Sequence, residues 1–221
     1  LNNQKRKPKT PWPTKDAMVQ IYENHLWGGP EHLFYSGDGS HEEHLVAPWL
    51  QVVQDFLSSF ERPISICDLG CGDFNVGKQL LPYCSTYTAV DIVPDLIAHH
   101  RQEYIGPNLH FQCLDIAKDA LPVADCAILR QVLQHVSNEE ISAITQKLVQ
   151  YKYVVITEHL PEGEFVPNID IISGQGIRLK KGSGVDVLQP PFSLPVTSAK
   201  KLLEVIPRDG KGRIVTWLYE I

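Results

Sequence analysis

Ile64-Ser65-Ile66-Cys67-Asp68-Leu69-Gly70-Cys71-Gly72-Asp73-Phe74 is a short apolar run that ends in a Gly-x-Gly turn. A run of that length reads as a buried strand, and the glycines mark its end. Tyr87 to Val93, Leu109 to Leu114, Asp125 to Leu129 and Tyr153 to Thr157 repeat the strand pattern downstream. Helical stretches alternate with them: Val76 to Leu81, Pro94 to Tyr104, and a segment opened by the capping box of Ser137 and Glu140 with its stripe Ile141, Ile144, Leu148 and Val149. Strands alternating with helices imply right-handed crossovers and a parallel sheet. The expected fold class is therefore α/β: a doubly wound, mostly parallel sheet with helices on both faces.

Upstream, Ser40 and Glu43 suggest a capping box before Leu45, Trp49, Val53, Phe56 and Phe60, with Pro48 either kinking that helix or marking its first turn. Downstream, residues 160–198 are rich in Gly and Pro without a sustained period, and a connection of that length in a compact domain is usually functional. The end of the chain reads as a hairpin on either side of Pro207-Arg208-Asp209-Gly210-Lys211-Gly212, with a helix over 197–206 as the alternative. The expected layout is a basic tail over 1–15 and one domain over 16–221, with a lid at 16–40 and a substrate-side insertion at 160–198.

The chain's 221 residues suit one core, and 43% hydrophobic with 21% charged residues excludes a largely disordered or fibrous protein. No apolar run approaches the roughly 18 to 20 residues of a membrane span. Lys5, Arg6, Lys7, Lys9 and Lys15 precede the first acid, leaving 15 basic against 26 acidic residues from position 16 onward. That balance repels phosphate backbones, so neither nucleic acid nor membrane is the expected partner. Five cysteines, an odd number mostly beside strands, read as reduced and buried, as in a cytoplasmic protein. Cys67 and Cys71 lack a second pair at zinc spacing, and His41-Glu42-Glu43-His44 has its histidines three apart rather than four, so no metal site is expected.

Function is written at the strand ends. In an open α/β sheet, ligands bind at the carboxyl edge of the strands. Gly70 and Gly72 let backbone approach a ligand there, and Asp68 can face a cationic group. Asp91, ending the second strand beside Ile92, can take both hydroxyls of a ribose. Asp115, ending the third beside Ile116, can accept from an exocyclic amine while the apolar neighbour packs the ring. Taken singly, an Asp at a strand end is more often a turn residue or cap. Three in register after successive strands, with Gly-x-Gly at the first, describe a site for a nucleoside with a positively charged tail. A dinucleotide site is disfavoured, because G-x-G-x-x-G needs glycine where Asn75 stands and Asp73 would repel a pyrophosphate.

Over about residues 40–160 this combination resembles the class I S-adenosylmethionine-dependent methyltransferases. The resemblance rests on Asp68 to Gly72, Asp91, Asp115 and Arg130-Gln131-Val132-Leu133-Gln134-His135 after the fourth strand, with Phe74 departing from a frequent third glycine. It implies S-adenosyl-L-methionine as cofactor, a methionine end held at Gly70, Cys71 and Gly72, and Arg130 and Gln131 close to the sulfonium. It also implies a final antiparallel strand. Trp27-Gly28-Gly29 and Ser36-Gly37-Asp38-Gly39-Ser40 look like the front segment of a bacterial methyltransferase group that serves carbohydrate or small-metabolite pathways. The resemblance implies a small-molecule or glycan acceptor; physically, Ser36 and Gly37 can meet the cofactor's carboxylate and Trp27 can cover the site, with capping the helix and filling a groove as the competing role.

An alcohol acceptor loses a proton, and His135 and His159 are the candidate bases after the fourth and fifth strands. Packing and hydrogen bonding are the competing roles for each. Asp170 and Arg178 can orient a polar substrate, though solvated surface positions are the plainer reading, and Gln189-Pro190-Pro191-Phe192 is expected to dock the insertion. Transfer to an oxygen leads; transfer to a small amine, and a module that binds cofactor without turnover, are the alternatives.

Overall fold

The computed structural model describes residues 11–221, so most of the basic tail lies outside the described residues. Seven strands form one sheet: β1 (Ser65–Leu69), β2 (Thr86–Asp91), β3 (Leu109–Cys113), β4 (Cys126–Arg130), β5 (Tyr153–Leu160), β6 (Ser198–Val205) and β7 (Arg213–Glu220). Their spatial order is β3-β2-β1-β4-β5-β7-β6. The first five are parallel, and β7 runs antiparallel to both β5 and β6. The order reverses beside β1, which puts a crevice at the carboxyl ends of β1 and β4.

Side-chain alternation along β1 divides the core. Cys67 and Leu69 face a cluster with Leu129, Val154 and Ile156, closed by Ile141, Ile144 and Leu148 of α4 (Asn138–Leu148). Ile66 faces the other cluster, with Trp49, Val53 and Leu57 of α2 (Glu43–Ser58) and Ile97 of α3 (Pro94–Glu103). The remaining helix, α1 (Thr14–Glu23), buries Ile21 and Tyr22.

The capping box at α4 forms: Ser137 Oγ accepts from the Glu140 N–H while Glu140 accepts from the Ser137 N–H. The one expected at Ser40 does not. Glu42 precedes α2 without a side-chain cap, and Ser40 ends a 3-10 turn over Asp38–Ser40, its carbonyl taken by Asn75 Nδ2 at 2.8 Å and its Oγ 3.3 Å from Arg130. Pro48 neither opens nor breaks α2; it sits in the second turn of a continuous helix. The helix expected at Val76 to Leu81 is a 3-10 stretch over Gly77–Tyr83 that includes Pro82, whose ring and missing N–H disfavour a regular turn. The chain's end is the hairpin β6–β7, not a helix.

Between β5 and β6, residues 161–197 hold no regular element beyond a 3-10 turn at Arg178–Lys181. Val185, Val187, Phe192 and Leu194 nevertheless join the α4-side core, so Phe192 docks this segment as its sequence suggests. Arg178 is not a surface residue. It is 1% exposed and donates to the carbonyls of Ile169, Leu133 and Val136 and to Asn138 Oδ1, because an irregular buried backbone needs side-chain donors where no ladder supplies them.

Candidate active site

An open cavity of about 150 Å³ lies at the carboxyl edge of the sheet. Asp68, Gly70, Cys71, Gly72, Asp91, Ile92, Asp115, Ile116, Arg130, Gln131, Trp27, Ser36 and His135 all line it. Gly37 and His159, and Asp170 and Arg178 of the segment after β5, do not.

The loop after β1 is fixed by its neighbours. Asp91 accepts from the Gly72 N–H through Oδ2 and from the Val93 N–H through Oδ1, both at 3.1 Å. At Gly70 (φ +88) a Cβ would stand 2.5 Å from Val132 Cγ2, and at Gly72 (φ +54) 2.3 Å from Ser36 Oγ. Only glycine fits both the conformation and the space. Burial pushes the Asp68 carboxyl up to about 7, with Asp91 adding to the rise while the Tyr87 hydroxyl, 2.8 Å away, and Arg130 oppose it. Burial raises Asp91 as well, against the amides that it accepts from. Asp115 is engaged in its own turn: Oδ1 accepts from the Ala117 N–H at 3.0 Å and Oδ2 meets Lys118 Nζ at 2.8 Å.

The front segment is clasped to this loop. Ser36 N–H donates to Asp73 Oδ2 at 2.8 Å, and the Asp73 N–H donates to Ser36 Oγ at 2.7 Å. His41 Nε2 adds a contact to Asp73 Oδ2 at 2.6 Å, and Tyr22 Oη pairs with Ser36 Oγ at 2.9 Å. Asp73, read from the sequence only as a repellent of phosphate, thus ties the front segment to the loop. Tyr22, Ser40, Trp49 and Glu140 also line the wall and were missed. Tyr22 carried a signal in retrospect, as a polar-tipped aromatic on the buried side of α1.

Arg130 reaches Gly39 O and Ser40 Oγ, lies 5.2 Å over the Trp49 ring, and leaves Nε without a partner. Burial lowers its pKa to about 10. Gln131, in the left-handed region at φ +57, anchors its N–H on Thr157 O at 2.7 Å and leaves Nε2 unpartnered. These free donors, the Gly70–Gly72 approach and the strand-end acids fit a zwitterionic nucleoside.

The two histidines separate. His135 packs 5.1 Å from the Trp27 ring, and its Nδ1 meets Gly174 O at 3.2 Å. A carbonyl only accepts, so Nδ1 carries the hydrogen and Nε2 the lone pair, which accepts from Gln134 Nε2 at 3.3 Å. Burial holds this imidazole down at about 4, against the nearby carbonyls of Gly174, Gly176 and Gln175. His159 instead donates its Nε2 hydrogen to Lys211 O. It is turned to the β5–β7 side and meets no wall of the cavity, which removes it as a base there. Asp170 caps α4 by accepting from the Asn138 N–H at 2.7 Å.

Residues 66–151 match the family model of a methyltransferase domain. No curated protein matches the chain. Among solved structures, the N-methyltransferase NodS from Bradyrhizobium japonicum, in complex with S-adenosyl-L-homocysteine, is 13% identical with a TM-score of 0.67, over 93% of this chain and 98% of that one. The 1,6-didemethyltoxoflavin-N1-methyltransferase of Burkholderia thailandensis is 14% identical with a TM-score of 0.62, over 93% and 86%. The magnesium protoporphyrin IX methyltransferase of Synechocystis, with bound S-adenosylmethionine, is 14% identical with a TM-score of 0.56, over 95% and 99%. At these identities the likeness is one of fold.

Proposed function

We propose that this chain, an S-adenosylmethionine-dependent methyltransferase, moves a methyl group to an oxygen of a small-molecule or glycan-like acceptor. Bound S-adenosylmethionine supplies an electrophilic methyl on a departing sulfonium. Asp91 would hold the ribose, Asp115 and Ile116 the adenine, and the loop from Gly70 to Gly72, with Asp68 and Arg130, the amino-acid tail. A cationic ligand favours ionised Asp68, so binding near neutral pH is expected to release a proton.

The observation that carries the oxygen reading is the neutral His135 beside Trp27, whose Nε2 carries no hydrogen and accepts from Gln134 Nε2 at 3.3 Å. An acceptor hydroxyl would replace the Gln134 amide on that nitrogen and give it its proton as the carbon–oxygen bond forms. A base held at about 4 suffices, because a newly methylated hydroxyl is a far stronger acid than imidazolium. Trp27 would exclude water from the transfer. Residues 16–40 act as the lid, and 160–198 back the acceptor side through Gly174 on His135 rather than lining it. The acidic balance beyond the tail supports a small-molecule acceptor over nucleic acid or membrane, and the five free cysteines suit a reducing, cytoplasmic setting.

A small amine is the second reading, favoured by Asp68, Asp73, Asp91, Asp115 and Glu140 standing against Arg130 on the cavity wall. Labelled cofactor incubated with hydroxyl-bearing and amine-bearing metabolite fractions separates the two by the product. Calorimetry with S-adenosylhomocysteine tests the site: Asp91→Ala is expected to weaken binding about 100-fold, since both the ribose acceptor and the Gly72 anchor are lost. Binding indifferent to that substitution sinks the assignment.

A further inference from the structure

The Gly72–Asp73 peptide is gripped by two side chains from outside its loop. Its N–H donates to Ser36 Oγ, and its carbonyl oxygen lies 2.7 Å from His100 Nε2, on α3. The carbonyl can only accept, so His100 carries its hydrogen on Nε2. The rest of the ring is enclosed: His100 is 1% exposed, ringed by Phe74, Tyr104 and Phe111 at centroid distances of 6.0, 5.6 and 5.3 Å, and its Nδ1 has no partner. Burial lowers its pKa, so the imidazole is neutral with one fixed tautomer.

Glycine at φ +54 admits ligand backbone closely and is also the residue most free to rotate its peptide. Its orientation must therefore be imposed by neighbours. We infer that His100 is a positioning residue for cofactor binding: by holding the Gly72 carbonyl toward α3, it keeps that oxygen out of the cavity and the Asp73 N–H of the same peptide on Ser36 Oγ. A rotated peptide would aim a carbonyl oxygen at the ligand and free the Ser36 hydroxyl from the lid clasp. His100 does not line the cavity, so its effect passes wholly through the loop.

The inference rests on the cofactor reading above, and one series separates them. His100→Gln places an amide N–H where Nε2 stands, His100→Asn stops short at the Nδ1 position, and His100→Phe fills the cage without a donor. Titrated with S-adenosylhomocysteine, Asn and Phe are expected to raise Kd about tenfold and Gln by less than about threefold. The Asp73 amide is expected to exchange faster in Asn and Phe than in Gln and wild type. Equal Kd in all four proteins, or equal weakening by all three substitutions, overturns the role of His100. A wild type that does not bind S-adenosylhomocysteine overturns the cofactor reading and this inference with it.

Discussion

The cavity's sheet edge and the segment 161–197 solve the same problem in opposite ways. At the ends of β1, β2 and β3, ladder bonds satisfy most of the backbone, and the acids are left over to organise loop amides, as Asp91 does for Gly72 and Val93. Segment 161–197 meets a strand only at its end, where the Thr197 N–H donates to Glu220 O of β7, so buried side chains do most of the ladder's work. Arg178 serves three carbonyls, and Asn168 holds Asp186 through both its amide and its oxygen while also reaching Pro190 O at 3.0 Å. A buried polar side chain far from the chemistry can thus be a substitute for secondary structure.

The sharpest way to break that contrast is Arg178→Met. It removes the donors to three buried carbonyls while keeping most of the apolar stem, and a cost of about 3–5 kcal/mol is expected from the acceptors left unsatisfied. Urea unfolding measures it. Arg178→Lys should recover little, since one ammonium cannot reproduce the fork. A loss under about 1 kcal/mol would mean that water or the core residues Val185 and Phe192 hold the segment instead.

What was legible in the sequence follows the same division. Periodicity and Gly-x-Gly located the strands and the acids of the sheet edge, because those features are local in the chain. Segment 161–197 offered no period, and the burial of Arg178 depends on carbonyls 9 to 45 residues away, which spacing does not encode. Ser40 shows the opposite failure: its capping pattern was present, and contacts with Arg130 and Asn75 took the residue elsewhere. His100 stayed invisible because its partner is a backbone oxygen 28 residues away.

Glu158 stands at the seam and tests it by pH. Its Oε1 accepts from the Leu133 N–H at 3.0 Å while Arg178 takes the Leu133 carbonyl, so one residue is held from both regions. Burial raises the carboxyl to about 8, with the Leu133 amide and Arg178 opposing. Between the ordinary glutamate value and about 8 the folded chain keeps a proton that the unfolded chain has released. This contribution to stability is therefore full below that window and lost as pH rises through it. Glu158→Gln, which cannot ionise, should melt close to wild type near pH 5 and about 2–4 °C higher near pH 9. A variant that melts lower at both values would show that attraction to Arg178, and not desolvation, governs the site.

Ser137→Ala probes the mildest difference between the regions. Ser137 opens α4 on the sheet side, yet Glu140 of the same capping box also accepts from Thr14 of α1 and from Ser173 of the insertion. Losing the serine hydroxyl removes the acceptor for the Glu140 N–H, and about 1 kcal/mol is expected by urea unfolding. Asp170 still holds the Asn138 N–H, and Glu140 keeps its other donors, so the helix start remains capped. A loss equal to that of Arg178→Met would place the anchor of 161–197 at this helix start rather than at the buried guanidinium, and the two regions would then share one support.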